Sequence, residues 1–134
     1  MTNKFIVVAV TRDEARIWRS GLEPKTHPEL IHPPEERILH HVRTAEFRGG
    51  HYPDLPSPEY YESISQAMKG AERILLVGHG TGKASAALRL TQYLERKHPD
   101  QAMQVVDSLD TDLVNLSEGE ILALARNWFA AHPA

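Results

Sequence analysis

"ERILLVGHGTGKASAALRLTQYLERKHPD", residues 72–100, decides how the rest of the chain is read. Ile74 to Val77 is an unbroken apolar run of strand length, and a run of that kind reads as a buried strand. Glycines at 78, 80 and 82 then interrupt it. After them Ala86, Leu90, Tyr93 and Leu94 recur at the spacing of one helix face. Strand, glycine turn and helix in that order form an α/β unit, which needs further strands beside it and further helices over it.

Working outward, "MQVVDS" (103–108) supplies the next strand. Ser117 and Glu120 stand at capping-box spacing before Ile121, Leu124, Ala125 and Trp128, so a last helix closes the chain. Upstream, Ser57 and Pro58 offer a cap and a first-turn proline. Tyr60, Ile64, Ala67 and Met68 follow at helical spacing, giving a helix over about 59–69. At the amino terminus "KFIVVAV" is a β-branched buried strand. "EARIWRS" alternates, with Ala15 and Ile17 on one face and Arg16 and Trp18 on the other, after a turn at Thr11-Arg12-Asp13. The two form an antiparallel hairpin, and Leu30 to His32 adds a third strand before Pro33-Pro34. The expected fold is a single α/β domain over residues 1–134, with leading antiparallel strands, then alternating helix and strand on a mixed sheet, and with no internal repeat.

Bulk properties narrow the function. A chain of 134 residues suits one core. The absence of cysteine excludes disulfides, thiolate metal sites and cysteine nucleophiles, and fits a cytoplasmic address. "MTNKFIVVAV" holds too short an apolar run for a membrane span and lacks a signal-peptide pattern. The net charge of -3 argues against indiscriminate nucleic-acid binding. Its distribution is uneven. Residues 37–51 carry three Arg against one Glu, with His40, His41 and His51, whereas residues 107–120 carry five carboxylates and no Lys or Arg.

Residues 33–58 show no periodicity beyond a short strand or helical turn near Ile38–Val42. They contain five prolines, and a loop of that length inside a compact domain is functional or mobile. Two readings stand side by side. In one, Gly49-Gly50 merely turns a mobile connector. In the other, the segment is an RNA-contacting arm: Arg37, Arg43 and Arg48, with Lys83, meet phosphate, Phe47, Tyr52 and Tyr60 stack on unpaired bases, and Gly49 and Gly50 let backbone approach closely, with His51 beside them as a further contact.

Other motifs are weaker. "VGHGTGKAS" has the composition of a phosphate loop but neither Walker nor dinucleotide spacing: Val77 holds the first Walker glycine position, Ala84 the Ser/Thr position, and Lys83 the last dinucleotide glycine. Gly78, Gly80, Gly82 and Lys83 therefore make a plain turn or an anion contact, with nucleotide binding as a third reading. Eight histidines occur without the spacing of a metal set, so they read as exposed loop residues and no metal or cofactor is expected. Asp13 and Asp107 are a conceivable magnesium-binding carboxylate pair, though turn and cap roles are simpler. A strand edge and Trp128-Phe129 would serve a homodimer or an ordinary packed helix equally.

Taken together, "FIVVAVTRDEARIWR", the central loop, the 72–100 stretch and "LSEGEILALARNWF" resemble the middle domain of archaeal and eukaryotic class I peptide-chain release factors and Pelota-like rescue proteins, in a stand-alone bacterial form. The resemblance implies a ribonuclease-H-like fold. It also implies a role at the ribosome, in rescue, hibernation or stress, with rRNA or tRNA as partner. In the release factors of that family a long loop carries Gly-Gly-Gln to the peptidyl-tRNA ester. Here Arg48, Gly49 and Gly50 match and His51 replaces the glutamine, so the resemblance implies binding more readily than hydrolysis. The chain lacks the family's codon-reading and partner-binding domains. Peptidyl-tRNA hydrolysis through Gly49, Gly50 and His51, and a small-molecule or nucleotide-binding stress protein, are the alternatives.

Overall fold

The computed structural model describes residues 5–19, 22, 25–33, 58–79 and 85–132. Strand β1 (Phe5–Val10) turns at Thr11–Glu14 into β2 (Ala15–Trp18), and β3 (Glu29–Ile31) follows. Helix α1 (Pro58–Ala67) leads to β4 (Arg73–His79), α2 (Ala86–Lys97), the short α3 (Pro99–Gln104) and β5 (Val105–Thr111). A 3-10 turn at Leu113–Asn115 precedes α4 (Glu118–Ala131). The sheet order is β3-β2-β1-β4-β5. Its β1–β2 and β2–β3 pairs are antiparallel, and its β1–β4 and β4–β5 pairs are parallel.

Alternation along the central strands builds the layers. Ile6, Val8 and Val10 of β1 and Ile74 and Leu76 of β4 pack with Tyr60, Ile64 and Met68 of the α1 segment and Leu90 and Leu94 of α2. Val7, Ala9, Leu75 and Val77 turn the other way, onto Ile121, Leu122, Ala125 and Phe129 of α4. Each fully buried aliphatic side chain stabilises the fold by about 1.5–3 kcal/mol relative to exposure, so both faces of the β1–β4 pair require a cover. The parity expected for β2 holds: Ala15 and Ile17 face α1 and α2, and Trp18 faces α4. Trp18 is wholly buried and satisfies its indole by donating Nε1 to Thr26 O at 3.1 Å.

Three expectations shift. Helix α1 starts and ends a residue or two early, and β3 is Glu29–Ile31 rather than Leu30–His32. Met103 and Gln104 belong to α3 rather than to a strand, which begins only at Val105. The apolar Met103 is 84% exposed, so its hydrophobicity does not report a core position. The strand or turn expected at Ile38–Val42 lies outside the described residues. Among those residues no helix is long and apolar enough to cross a membrane.

The capping box forms as spaced: Glu120 N donates to Ser117 Oγ and Ser117 N to Glu120 Oε1, at 3.1 and 2.8 Å. Phe129 is buried and stacks on Phe5 at 4.3 Å, while Trp128 donates Nε1 to Asp107 at 2.7 Å, so this aromatic pair packs within the chain.

On the opposite face Glu62 Oε1 accepts the Tyr93 hydroxyl and meets His98 Nε2, both at 2.7 Å, and Gln66 Nε2 donates to Oε2 at 2.6 Å. Gln101 Nε2 donates to Ser65 O at 2.9 Å, so α1, α2 and α3 are tied into one layer. The His98 contact first, then Tyr93 and Gln66, hold the Glu62 carboxyl at about 2, below its ordinary 4.5. A depressed folded-state value makes the contribution present above pH 4.5 and lost as pH falls toward about 2. Urea unfolding across that window should therefore show wild-type stability falling with acid, and the fall should be shallower in Glu62→Gln.

Helix α2 crosses β4 closely at Gly78, where an added Cβ would stand 2.8 Å from the Ala87 Cβ. Gly78→Ala should cost about 1–3 kcal/mol in urea denaturation, since both atoms ride on rigid elements. Ala87→Gly should cost about 1 kcal/mol through helix propensity. The double variant should cost less than the sum of the two, because the clash is then gone.

Candidate functional site

The register places Val10, Ala15, Ile31, Gly78 and Asp110 at one end of the sheet, the carboxyl end of the parallel strands. This rim is where the two motif-bearing segments join the fold. The 34–57 segment leaves from β3 and returns at α1, and the 80–84 segment connects β4 to α2.

The hairpin turn organises the rim. Thr11 Oγ1 accepts the Asp13 and Glu14 amides at 3.2 Å each, and Thr11 N donates to Glu14 O at 2.9 Å. A threonine followed by short polar residues is the sequence form of such a turn. Both roots of the long segment are fastened to it. His32 Nε2 lies 3.1 Å from Glu14 Oε1, and the Tyr60 hydroxyl donates to Thr11 O at 2.8 Å. Burial, then Tyr61, Asp13 and Glu14, push Tyr60 far above the usual tyrosine value, so it stays a neutral donor.

Tyr60 is thus corrected from a base-stacking residue to a core anchor: it is completely buried, because the helical spacing that placed it also turned it inward. Its neighbour Tyr61 is 6% exposed, with a hydroxyl that meets no partner among the described residues. Burial pushes Tyr61 up to about 12, offset in part by the Arg89 and Arg12 charges.

On the other side of the rim Thr111 Oγ1 donates to Gly78 O at 3.0 Å. Asp112 Oδ1 stands 3.8 Å from His79 Nδ1, so the acidic 107–120 stretch reaches the same rim rather than a separate end of the molecule. Ser85 caps α2, its Oγ accepting the Leu88 amide at 3.4 Å. Between these parts lies a cleft of about 300 Å³, lined by Val10, Arg12, Asp13, His79, Ser85 and Val114 among others.

Of the sequence-predicted site residues, Gly78 falls within the described structure, in β4, where its role is the close approach of α2. Arg37, Arg43, Phe47, Arg48, Gly49, Gly50, His51 and Tyr52 lie outside the described residues, as do Gly80, Gly82 and Lys83. Asp13 and Asp107 are not brought together. Asp107 pairs opposite Leu75, three positions before Gly78 and so roughly 10 Å down the strand from the rim. Among the described residues no cluster of three or more His, Cys, Asp or Glu is arranged for a metal. Arg12, Ser85 and Val114 are the cleft residues that sequence reasoning missed. The signal for Arg12 was its place at a strand end, which was read only as a turn.

No protein-family model matches the sequence, and no curated protein matches it. Among solved structures the chain is similar to Pelota of Archaeoglobus fulgidus, with a TM-score of 0.57 at 9% identity. The match covers 95% of this chain and 32% of that one, so the chain spans about a third of the Pelota it resembles. At that identity the likeness shows a common fold: the five-stranded mixed sheet with its helices resembles a Pelota domain.

Removing the Tyr60 hydroxyl should unfasten the root of the long segment without emptying the core. Tyr60→Phe is expected to lose about 1–2 kcal/mol of stability by leaving Thr11 O unpaired. Amide exchange should quicken at Thr11–Glu14 and at the start of α1, while β4 protection stays in step with global stability.

Proposed function

We propose that this chain is a ribosome- or tRNA-associated accessory protein of the translation machinery, one release-factor-middle-domain-like unit that binds RNA through residues 37–52 and performs no chemistry of its own. The observation that supports this reading most is the likeness of 95% of the chain to a third of an archaeal Pelota. The ribonuclease-H-like classification belongs to the same proposal.

The position of the segment adds support. It is inserted between β3 and α1, rooted on the Thr11–Glu14 turn by His32 and Tyr60. Arg37, Arg43 and Arg48 give residues 37–52 local positive charge in a chain of net charge -3, which would draw phosphate to them. Phe47 and Tyr52 add faces for unpaired bases, and His51 takes the place of the glutamine of the release factors.

Co-sedimentation with ribosomes and binding to deacylated tRNA, each over a salt series, test the reading. Wild type should bind with a steep salt dependence. Arg43→Glu/Arg48→Glu should lose binding and retain its melting temperature. Arg43→Ala/Arg48→Ala should flatten the log–log salt slope by roughly 1.4, the loss of two phosphate contacts to single-stranded RNA. Binding by the charge-reversed protein equal to wild type would exclude the segment as the contact. Peptide release from loaded ribosomes, abolished by His51→Ala, would replace binding with ester hydrolysis.

A further inference from the structure

We infer that the cleft at the carboxyl ends of β1 and β4 binds a single ribonucleotide unit, with its phosphate toward Arg12 and Ser85, its ribose hydroxyls toward Asp13 and its base against Val114. The residues named for it are described residues outside the 37–52 segment, so its failure and the failure of the translation reading are distinguishable.

At about 300 Å³ it lies at the small end of pockets that hold organic ligands, a size suited to one nucleotide. Its lining divides by chemistry. Val10 and Ala86 close its floor from the core, and Val114, 65% exposed, is the apolar side chain open to a ligand. Thr11, Arg12, Asp13, His79 and Ser85 provide the polar side.

Ser85 is 7% exposed and accepts the Leu88 amide. Among the described residues no acceptor takes its own hydroxyl proton, which remains to donate. Ser85 also opens α2, a helix of 12 residues with no acidic residue in its first turn, whose leading amides lack intrahelical acceptors. Gly78 lets α2 sit close against β4, which holds Ser85 and Ala86 at the cleft.

The carboxylate decides the class of ligand. An inorganic phosphate would meet Asp13 as well as Arg12, and His79 Nδ1 lies 3.8 Å from Asp112 Oδ1. A ribonucleotide uses both signs of charge, since ribose hydroxyls donate to a carboxylate while phosphate oxygens accept from a guanidinium. The sequence at 78–85 lacks Walker spacing, so a monophosphate fits better than a triphosphate. A free ribonucleoside monophosphate and the terminus of an RNA strand share this chemistry.

Nuclear magnetic resonance titration of the labelled full chain tests the assignment. The probes are inorganic phosphate, the four ribonucleoside 5′-monophosphates, their 2′-deoxy counterparts and a single-stranded RNA tetranucleotide. Ribonucleotides should shift the Ser85–Leu88 amides and the Val114 methyls, and should bind at least about tenfold more tightly than phosphate and more tightly than the deoxy forms. Arg12 and Val114 are exposed, so Arg12→Glu and Val114→Asp should keep the wild-type melting temperature and each weaken binding about tenfold or more. Tighter binding of the tetranucleotide would assign the site to an RNA end, and tighter binding of the monophosphates would assign it to a free nucleotide. No shift with millimolar ribonucleotide, equal affinity for phosphate, or wild-type affinity in both variants would overturn the proposal.

Discussion

The parallel pairing of β1 with β4 is the constraint on which the rest of the structure depends. From Ile6 to Val10 and from Ile74 to Val77 neither strand carries a polar side chain, and all of these positions are buried. A pair that is apolar on both faces cannot meet water on either, so α1 and α2 must cover one side and α4 the other. Parallel strands cannot be joined by a tight turn, so the chain between β1 and β4 makes a long excursion through β2, β3, residues 34–57 and α1. Residues 34–57 fall within that excursion and join the described fold beside the Thr11–Glu14 turn. With the interior closed to polar groups, the chemistry collects where β1 and β4 end.

That rim carries mixed charge. Arg12 and Asp13 sit on one turn, and His79 faces Asp112 across the other. A surface of this kind is poor at broad electrostatic capture and better at selecting ligands that present donors and acceptors together. This fits a chain whose net charge is -3. The likeness to an archaeal Pelota concerns the fold beneath the rim, which is why the functional proposals rest on the rim's own residues and on the segment rooted there.

Much of the fold was legible because its central elements follow local rules. The β-branched runs, the alternation of β2 and the Ser117–Glu120 box each carry a period or a spacing that local physics imposes. Helix α3 was not legible. It has no buried residue, so no apolar period marks it, and Met103 imitates a core residue while standing 84% exposed. Tyr60 shows the opposite ambiguity. An aromatic beside a loop serves equally well as a stacking group or a core anchor, and its hydrogen bond to a residue 49 positions earlier is a tertiary fact. The same holds for the cleft. Arg12 and Ser85 are separated by the whole first half of the chain, and only the β1–β4 register brings a hairpin turn and a helix cap to one rim. The arginines and aromatics of residues 37–52 were legible as a composition, and their arrangement lies beyond the described residues.

The most direct measurement of the central claim, that RNA meets this protein at the carboxyl rim and the segment rooted on it, is ultraviolet crosslinking of the protein in ribosome and tRNA fractions, followed by mass spectrometry of the peptide–nucleotide adducts. The account predicts adducts on Phe47 or Tyr52, with further adducts confined to the turn at 11–14 and to residues 78–85. Adducts concentrated on α3 or α4, or none from cells in which the protein is abundant, would contradict it.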